Sequence, residues 1–324
     1  MSIAPAEWDR AVAAIEGARG TIGLACHVGP DGDALGSMLA VGLALRSRGI
    51  EVAASWGSEP FEVPAALSFL PGRDLLVPPA RFPGEPAVLL TFDAGSLDRV
   101  GTLAAAAQKA GTLIVVDHHA SNDRFGAVNL VDPDAAASAV IAAELLDRLQ
   151  IPLDADVASG LYTGLVTDTG RFQHSNTTPA VHALAARLIA AGAPHVAITD
   201  RVYNTWKRGF LTLAGDALAR LRERDGMVWT WVTQEDLARH GVGLADLDPL
   251  IDLVRTAEGI DVAAVLKQQP EGNYKVSMRS RAATDVGSIC ASFGGGGHRL
   301  AAGFTSEKSD PEAIAGEIAA RLAA

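Results

Sequence analysis

The chain has 324 residues, 48% of them apolar and 20% charged, with a formal net charge of −11. That length exceeds one ordinary core and suits two domains, and the composition excludes a disordered chain. The acidic balance excludes a protein that grips long duplex nucleic acid, where Lys and Arg must neutralise phosphates, but permits a small anionic substrate held through bound cations.

Residues 7–19 have the spacing of a helix, with Trp8, Val12 and Ile15 on one face. Thr21 to His27 reads as a short buried strand, ending in the irregular loop His27-Val-Gly-Pro-Asp31-Gly-Asp33. A helix over 34–47 follows and stops at Gly49, so the chain opens as a βαβ unit. Residues 50–56 form a second expected strand, and 60–86, rich in proline, an irregular stretch. Residues 87–92 are a third apolar run, ending at Asp93. A helix over 97–110 stops at Gly111. Residues 112–116 run into Asp117-His118-His119.

Helices are expected over 138–150 and 155–166, the second running out at Thr167-Asp168-Thr169-Gly170. Strands alternating with helices imply a mostly parallel sheet with helices on both faces. Thr178-Pro179 starts a helix that ends at Gly192. The helical stretch from 194, extending past Trp206 to Arg222, reads as an interdomain connector. Beyond it come a strand over 227–232, a helix over 246–258, and strands over 262–268 and 274–280 around the turn Pro270-Glu-Gly-Asn273. A helix over 285–293, the run Gly294 to Gly297, a short strand over 303–306 and a final helix from Pro311 complete the chain. The expected division is a catalytic α/β domain over 1–192, a linker over 193–222 and a smaller α+β domain with a mixed sheet over 223–324.

Cys26 and Cys290 are too few and too far apart for a disulfide framework and read as buried thiols. The first ten residues lack the apolar core of a signal peptide, and no run approaches the roughly 20 apolar residues of a membrane span. A cytoplasmic protein away from the membrane is therefore expected.

In an open parallel sheet, ligands bind beyond the carboxyl ends of the strands. His27, Asp31 and Asp33, then Asp93, then Asp117, His118 and His119 each fall there, and Asp168 falls at a helix end. A lone Asp after a strand is ordinarily a turn residue or helix cap. Three ligating side chains within seven residues, and four such segments in one frame, have no structural use of that kind. Carboxylates and imidazoles without cysteine suit Mn2+, Zn2+, Mg2+ or Fe2+. Their number suits two ions about 3.5–4 Å apart, which together activate water and clamp an in-line displacement at phosphorus.

His27-Val-Gly-Pro-Asp31-Gly-Asp33-Ala-Leu-Gly-Ser37, Asp93, Asp117-His118-His119 and Asp168-Thr-Gly together resemble the DHH phosphoesterase superfamily. Met278-Arg279-Ser280-Arg281 and Gly294-Gly295-Gly296-Gly297-His298 resemble its DHH-associated substrate-binding domain. Thr163 to Phe172, with Ser175-Asn-Thr-Thr178, looks closest to the NrnA branch.

The resemblance implies that His27, Asp31 and Asp93 hold one metal, and that Asp33, Asp93, His118 and Asp168 hold a second, with Asp93 bridging. It implies Mn2+, with Mg2+ or Co2+ as substitutes. Asp117 is expected to orient His118, and His119 to face the scissile phosphate. Arg279, Ser280, Gly295, Gly296, Gly297 and His298 are expected to bind substrate, in a cleft between the domains that limits substrate length. Arginine's planar fork and positive-φ glycine backbone both suit phosphate.

The implied activity is hydrolysis of dinucleotides, pApA and other very short RNAs to 5′-mononucleotides. The resemblance extends to 3′-phosphoadenosine 5′-phosphate, to cyclic di-AMP and to a homodimer. The rival readings are a RecJ-like exonuclease, a family II pyrophosphatase and a nucleotide-binding regulator without activity. His174, His182, His195 and His240 read as surface or helix-face histidines. Trp229 and Trp231 read as strand packing.

Overall fold

The structure is a computed structural model that describes residues 3–281 and 283–323; the side chain of His298 lies outside the described set. The chain divides into two compact units, Met1–Thr205 and Trp206–Ala324. The boundary falls within the stretch expected as a connector.

The first unit contains a five-stranded sheet in the order β2-β1-β3-β4-β5. Its strands are β1 (Ile22–Cys26), β2 (Val52–Trp56), β3 (Val88–Phe92), β4 (Thr112–Asp117) and β5 (Val128–Val131). Every pairing is parallel. Strands β1 and β3 are buried along their whole length, which is why they read as unbroken apolar runs rather than alternating ones.

One face of this sheet is covered by α1 (Pro5–Gly17), α2 (Gly32–Ser47), α4 (Ser138–Arg148) and α5 (Ala155–Asp168). On the other face Ala25, Leu89 and Leu113 meet Phe82, Leu103 and the short helix α3 (Ala104–Lys109). α6 (Pro179–Ala190) and α7 (His195–Tyr203) complete the unit. The strand order reverses between β1 and β3, and such a reversal opens a ligand crevice at the carboxyl ends of the strands.

Helices α2 and α5 approach closely because glycine lines their contact. A Cβ on Gly36 would lie 2.4 Å from the Gly160 carbonyl oxygen, and one on Gly164 would lie 2.5 Å from Asp33 Oδ1. These positions bring the start of α2 beside the end of α5.

The second unit has a mixed six-stranded sheet, β10-β11-β9-β8-β7-β6. The strands are β6 (Arg222–Arg224), β7 (Met227–Val232), β8 (Val262–Gln268), β9 (Tyr274–Ser280), β10 (Gly296–His298) and β11 (Ala301–Ser306). Only β7 and β8 run parallel. Met227, Trp229, Leu266 and Met278 face α11 (Val286–Ser292) and α12 (Pro311–Leu322). Val228, Val232, Ala263 and Val265 face α8 (Arg208–Ala219), α9 (Gln234–His240) and α10 (Leu250–Val254).

Three local expectations need correction. The stretch 194–222 is two helices broken at 204–207, followed by β6. The helix expected over 97–110 is a 3-10 segment kinked at Gly101, where φ is 60°, followed by α3. The helix expected over 246–258 is a 3-10 turn and the short α10. At the end of the glycine run, Gly296 to His298 form an edge strand on β11. Among the described residues no single helix is long and apolar enough to cross a membrane.

Candidate metal centre

The strand-end segments and the end of α5 meet in the first unit. His27 follows β1 and is buried. Its Nδ1 faces the Val28 carbonyl at 3.0 Å, while Nε2 lies 3.7 Å from Asp31 Oδ2 and 3.4 Å from Asp93 Oδ2. His118 repeats this arrangement beyond β4. Its Nδ1 faces the Ala135 carbonyl at 3.2 Å, and Nε2 lies 3.4 Å from Asp93 Oδ1 and 3.1 Å from Asp168 Oδ2. A carbonyl opposite Nδ1 fixes the proton there and turns the Nε2 lone pair toward the carboxylates, as a metal-binding imidazole requires.

Asp93 stands between the two histidines, with one oxygen toward each. Its backbone is left-handed at φ 56°, a region that aspartate tolerates better than most residues. Its amide donates to the Val116 carbonyl at 3.0 Å, and its Oδ1 accepts from Ser138 Oγ at 3.0 Å.

Asp31 caps α2, its Oδ1 accepting from the amides of Asp33 and Ala34. This leaves Oδ2 on the side of His27. Asp33 is fully buried. It accepts from Ser37 Oγ and from the Ser138 and Ala139 amides at the start of α4. Three sets of ligand atoms each gather within 4.8 Å: His27, Asp31 and Asp93; Asp33, His118 and Asp168; and Asp93, His118 and His119.

The electrostatics show what this donor set is made for. Burial, then the charges of Asp168 and Asp93, push Asp33 well above the usual carboxylate range. Burial likewise raises Asp168 to about 6. Burial works to lower both histidines, but the carboxylates outweigh it, raising His27 to about 10 and His118 to about 12. Burial works to raise Asp93, but His118 and His27 hold it well below the ordinary range. Protons on the imidazoles are thus the compensating charge for a cluster of buried acids. Divalent cations on the same oxygens and Nε2 atoms would supply that charge and release those protons. The residues therefore fit metal ions.

Asp117 does something other than expected. Its Oδ1 accepts from His119 Nδ1 at 2.7 Å, and its Oδ2 accepts from Asn122 Nδ2 at 2.6 Å. It orients His119, whereas His118 is set by the Ala135 carbonyl. The reason is geometric. Alternate positions along extended chain share a side, so Asp117 and His119 point together and His118 points away. The hydrogen bond that His119 donates to Asp117 also raises the pKa of His119.

Sequence reasoning missed Ser138, Asn122 and Asn176. Asn176 Nδ2 donates to the carbonyls of both Ala136 and Asp168 at 3.1 Å, tying the end of α5 to the segment before α4. A serine opening a helix reads as a cap, yet Ser138 caps nothing and binds Asp93. Among the histidines set aside, His174 lies beside the centre, its Nδ1 3.4 Å from the Asp168 carbonyl. Trp229 is core.

In the second unit, Arg279 on β9 is half-buried, and its Nη1 donates to the Met278 carbonyl at 3.0 Å. Burial lowers its pKa. Ser280 is not available in the way expected, because its hydroxyl is held by Asp261 at 3.2 Å. Gly295 and Gly297 are required by packing: a Cβ there would lie 2.2 Å from the Gly303 carbonyl oxygen and 2.6 Å from that of Ala301. Gly296 has open space at that position. The expected contact from the His298 side chain lies outside the described residues.

The model of the DHH family N-terminal domain matches residues 21–165, and that of the DHHA1 domain matches residues 231–323. The bifunctional oligoribonuclease and PAP phosphatase NrnA of Thermus thermophilus is 35% identical over 310 residues, covering 94% of this chain and 91% of that protein. The crystal structure of an exopolyphosphatase-related protein from Bacteroides fragilis superposes with a TM-score of 0.91 at 24% identity, covering 99% of this chain and 97% of the other. RecJ from Thermus thermophilus in complex with Mn2+ superposes at 0.57 with 14% identity, covering 99% of this chain and 55% of that one. Both structural likenesses concern the fold alone. The chain belongs to the DHH family of phosphoesterases and carries the DHHA1 domain behind its catalytic domain.

Proposed function

We propose that this chain hydrolyses dinucleotides, pApA and other very short oligoribonucleotides to 5′-mononucleotides. We also propose that it removes the 3′-phosphate of 3′-phosphoadenosine 5′-phosphate. The observation that carries this reading is Asp93, whose two oxygens face different histidines at 3.4 Å each. A carboxylate so placed suits a bridge between two ions. His27, Asp31 and Asp93 would hold one, and Asp33, Asp93, His118 and Asp168 the other. Mn2+ is the proposed ion, with Mg2+ as a substitute; the donors are oxygen and imidazole nitrogen, and the RecJ neighbour is a complex of Mn2+ in one structure and of Mg2+ in another. When bound, such a pair lowers the pKa of water and neutralises charge developing at phosphorus.

The chain's own residues do the rest. Ser138 and the start of α4 hold Asp93 and Asp33 in place before substrate arrives. His119, set by Asp117, contacts the scissile phosphate. Arg279 in the second unit takes an anionic end of the substrate; its planar guanidinium suits a phosphate partner. The name of the NrnA relative supports the substrate class. A cytoplasmic location and a homodimer belong to the same proposal; sedimentation reads the assembly.

The test is Mn2+-dependent turnover of a dinucleotide, a 20-mer RNA, 3′-phosphoadenosine 5′-phosphate, cyclic di-AMP and pyrophosphate. The proposal expects the dinucleotide and 3′-phosphoadenosine 5′-phosphate to lead. Preference for the 20-mer or for pyrophosphate would replace it with an exonuclease or a pyrophosphatase.

A further inference from the structure

The second unit contains a basic cavity that the phosphoesterase chemistry does not use. In the antiparallel β8–β9 pair, Lys267 stands directly opposite Lys275. With Gln269, Asp248, Leu244 and Ala245 they line a cavity of about 160 Å3. Like charges opposite each other across a ladder destabilise it. Lys267 is only 5% exposed, so water screens its charge poorly.

Lys267 donates to Asp248 Oδ1 at 2.8 Å. That bond uses one of three ammonium donors. Asp248 is itself 80% exposed, so its carboxylate is mostly solvated. Lys275 forms no ion pair among the described residues. Gln269 Nε2 uses one donor on the Lys267 carbonyl at 2.8 Å, and an amide nitrogen has two. Asp248 balances one of the two ammonium charges. One positive charge, on the exposed Lys275, and several donors therefore remain at the cavity, in a chain whose net charge is −11.

Lys275 precedes Arg279 by four residues on β9, which at about 3.3 Å per residue separates them by roughly 13 Å. The cavity is thus distinct from the Arg279 end of the strand. Its volume is well below the roughly 300–1,000 Å3 of pockets for larger organic ligands. We propose that this cavity binds a phosphate-class oxyanion, either free phosphate or the terminal phosphate of a nucleotide, between Lys267 and Lys275.

The test is calorimetric titration of the full-length protein, as purified, with inorganic phosphate and separately with 5′-AMP. Lys275→Ala should remove one binding component, weakening it about tenfold or more, the worth of one charge-assisted hydrogen bond. Lys275→Arg should restore it. The loss should persist in an Arg279→Ala background, and Lys275→Ala should leave Mn2+-dependent dinucleotide turnover within about twofold. Lys267→Met, with its fold checked by circular dichroism, should show the same loss. Dependence on Lys275 for phosphate alone identifies free phosphate, and for both ligands a nucleotide terminus. Identical isotherms for the wild type and Lys275→Ala overturn the proposal.

Discussion

The two adjacent histidines of Asp117-His118-His119 have different neighbours and should fail differently. His118 Nε2 faces Asp93 and Asp168, so His118→Ala should lower the bound metal per chain. His119 is held by Asp117, so His119→Ala should keep the metal content and slow turnover by about 10²–10³-fold, the range of one lost contact to developing charge. Because Asp117 orients His119 and not His118, Asp117→Asn should resemble His119→Ala. Metal analysis beside kinetics of the three variants checks this. Metal loss in Asp117→Asn with wild-type turnover per remaining ion would contradict it. The acids and histidines were legible in the sequence because four such segments gather at strand and helix ends in one frame, although Asp31 also serves as the cap of α2. Their supports were not. Ala135 and Ala136 act through carbonyls and Ala139 through its amide, which side-chain identity cannot reveal.

Helices α2 and α5 set the distance between Asp33 and Asp168, and glycines set the distance between the helices. Gly164→Ala would place a methyl group 2.5 Å from Asp33 Oδ1. It should destabilise the protein by about 1–3 kcal/mol, as overpacking does, and weaken metal binding as well. Denaturant unfolding with and without Mn2+ reads both effects. In the second unit, α9 begins with a capping box in which Asp236 also accepts from Arg220 through both oxygens, at 2.9 and 3.0 Å. Burial works to raise its pKa, but Arg220 and Thr233 outweigh it and hold Asp236 at about 2, below its ordinary 3.8. A lowered folded-state pKa contributes stability above the unfolded value and loses it as pH falls through the folded one. Unfolding from pH 6 to pH 2 should therefore show the gap between wild type and Asp236→Asn closing below about pH 4. A gap unchanged with pH would exclude this role. Strongly apolar strands and capped helices were readable from the sequence. The four-residue β5 and the edge strand β10, made mostly of glycine, were not, because their pairing depends on neighbours distant in sequence.

Across the whole molecule, the net charge is −11, and much of the buried acidity is concentrated around Asp93. Asp33, Asp93 and Asp117 are all nearly inaccessible to solvent. A fold that buries these groups should gain stability from cations that the unfolded chain does not bind. At 100 times its dissociation constant, each ion should add about 2.7 kcal/mol. Thermal denaturation of the full chain should show Mn2+ raising the midpoint and a chelator lowering it, with the Mn2+ shift lost in Asp93→Asn. The most direct measurement is anomalous diffraction at the manganese edge from crystals grown with Mn2+. Two peaks about 3.5–4 Å apart are expected on either side of Asp93, one against His27 and Asp31 and one against Asp33, His118 and Asp168. A single peak, or peaks away from Asp93, would contradict the two-metal account.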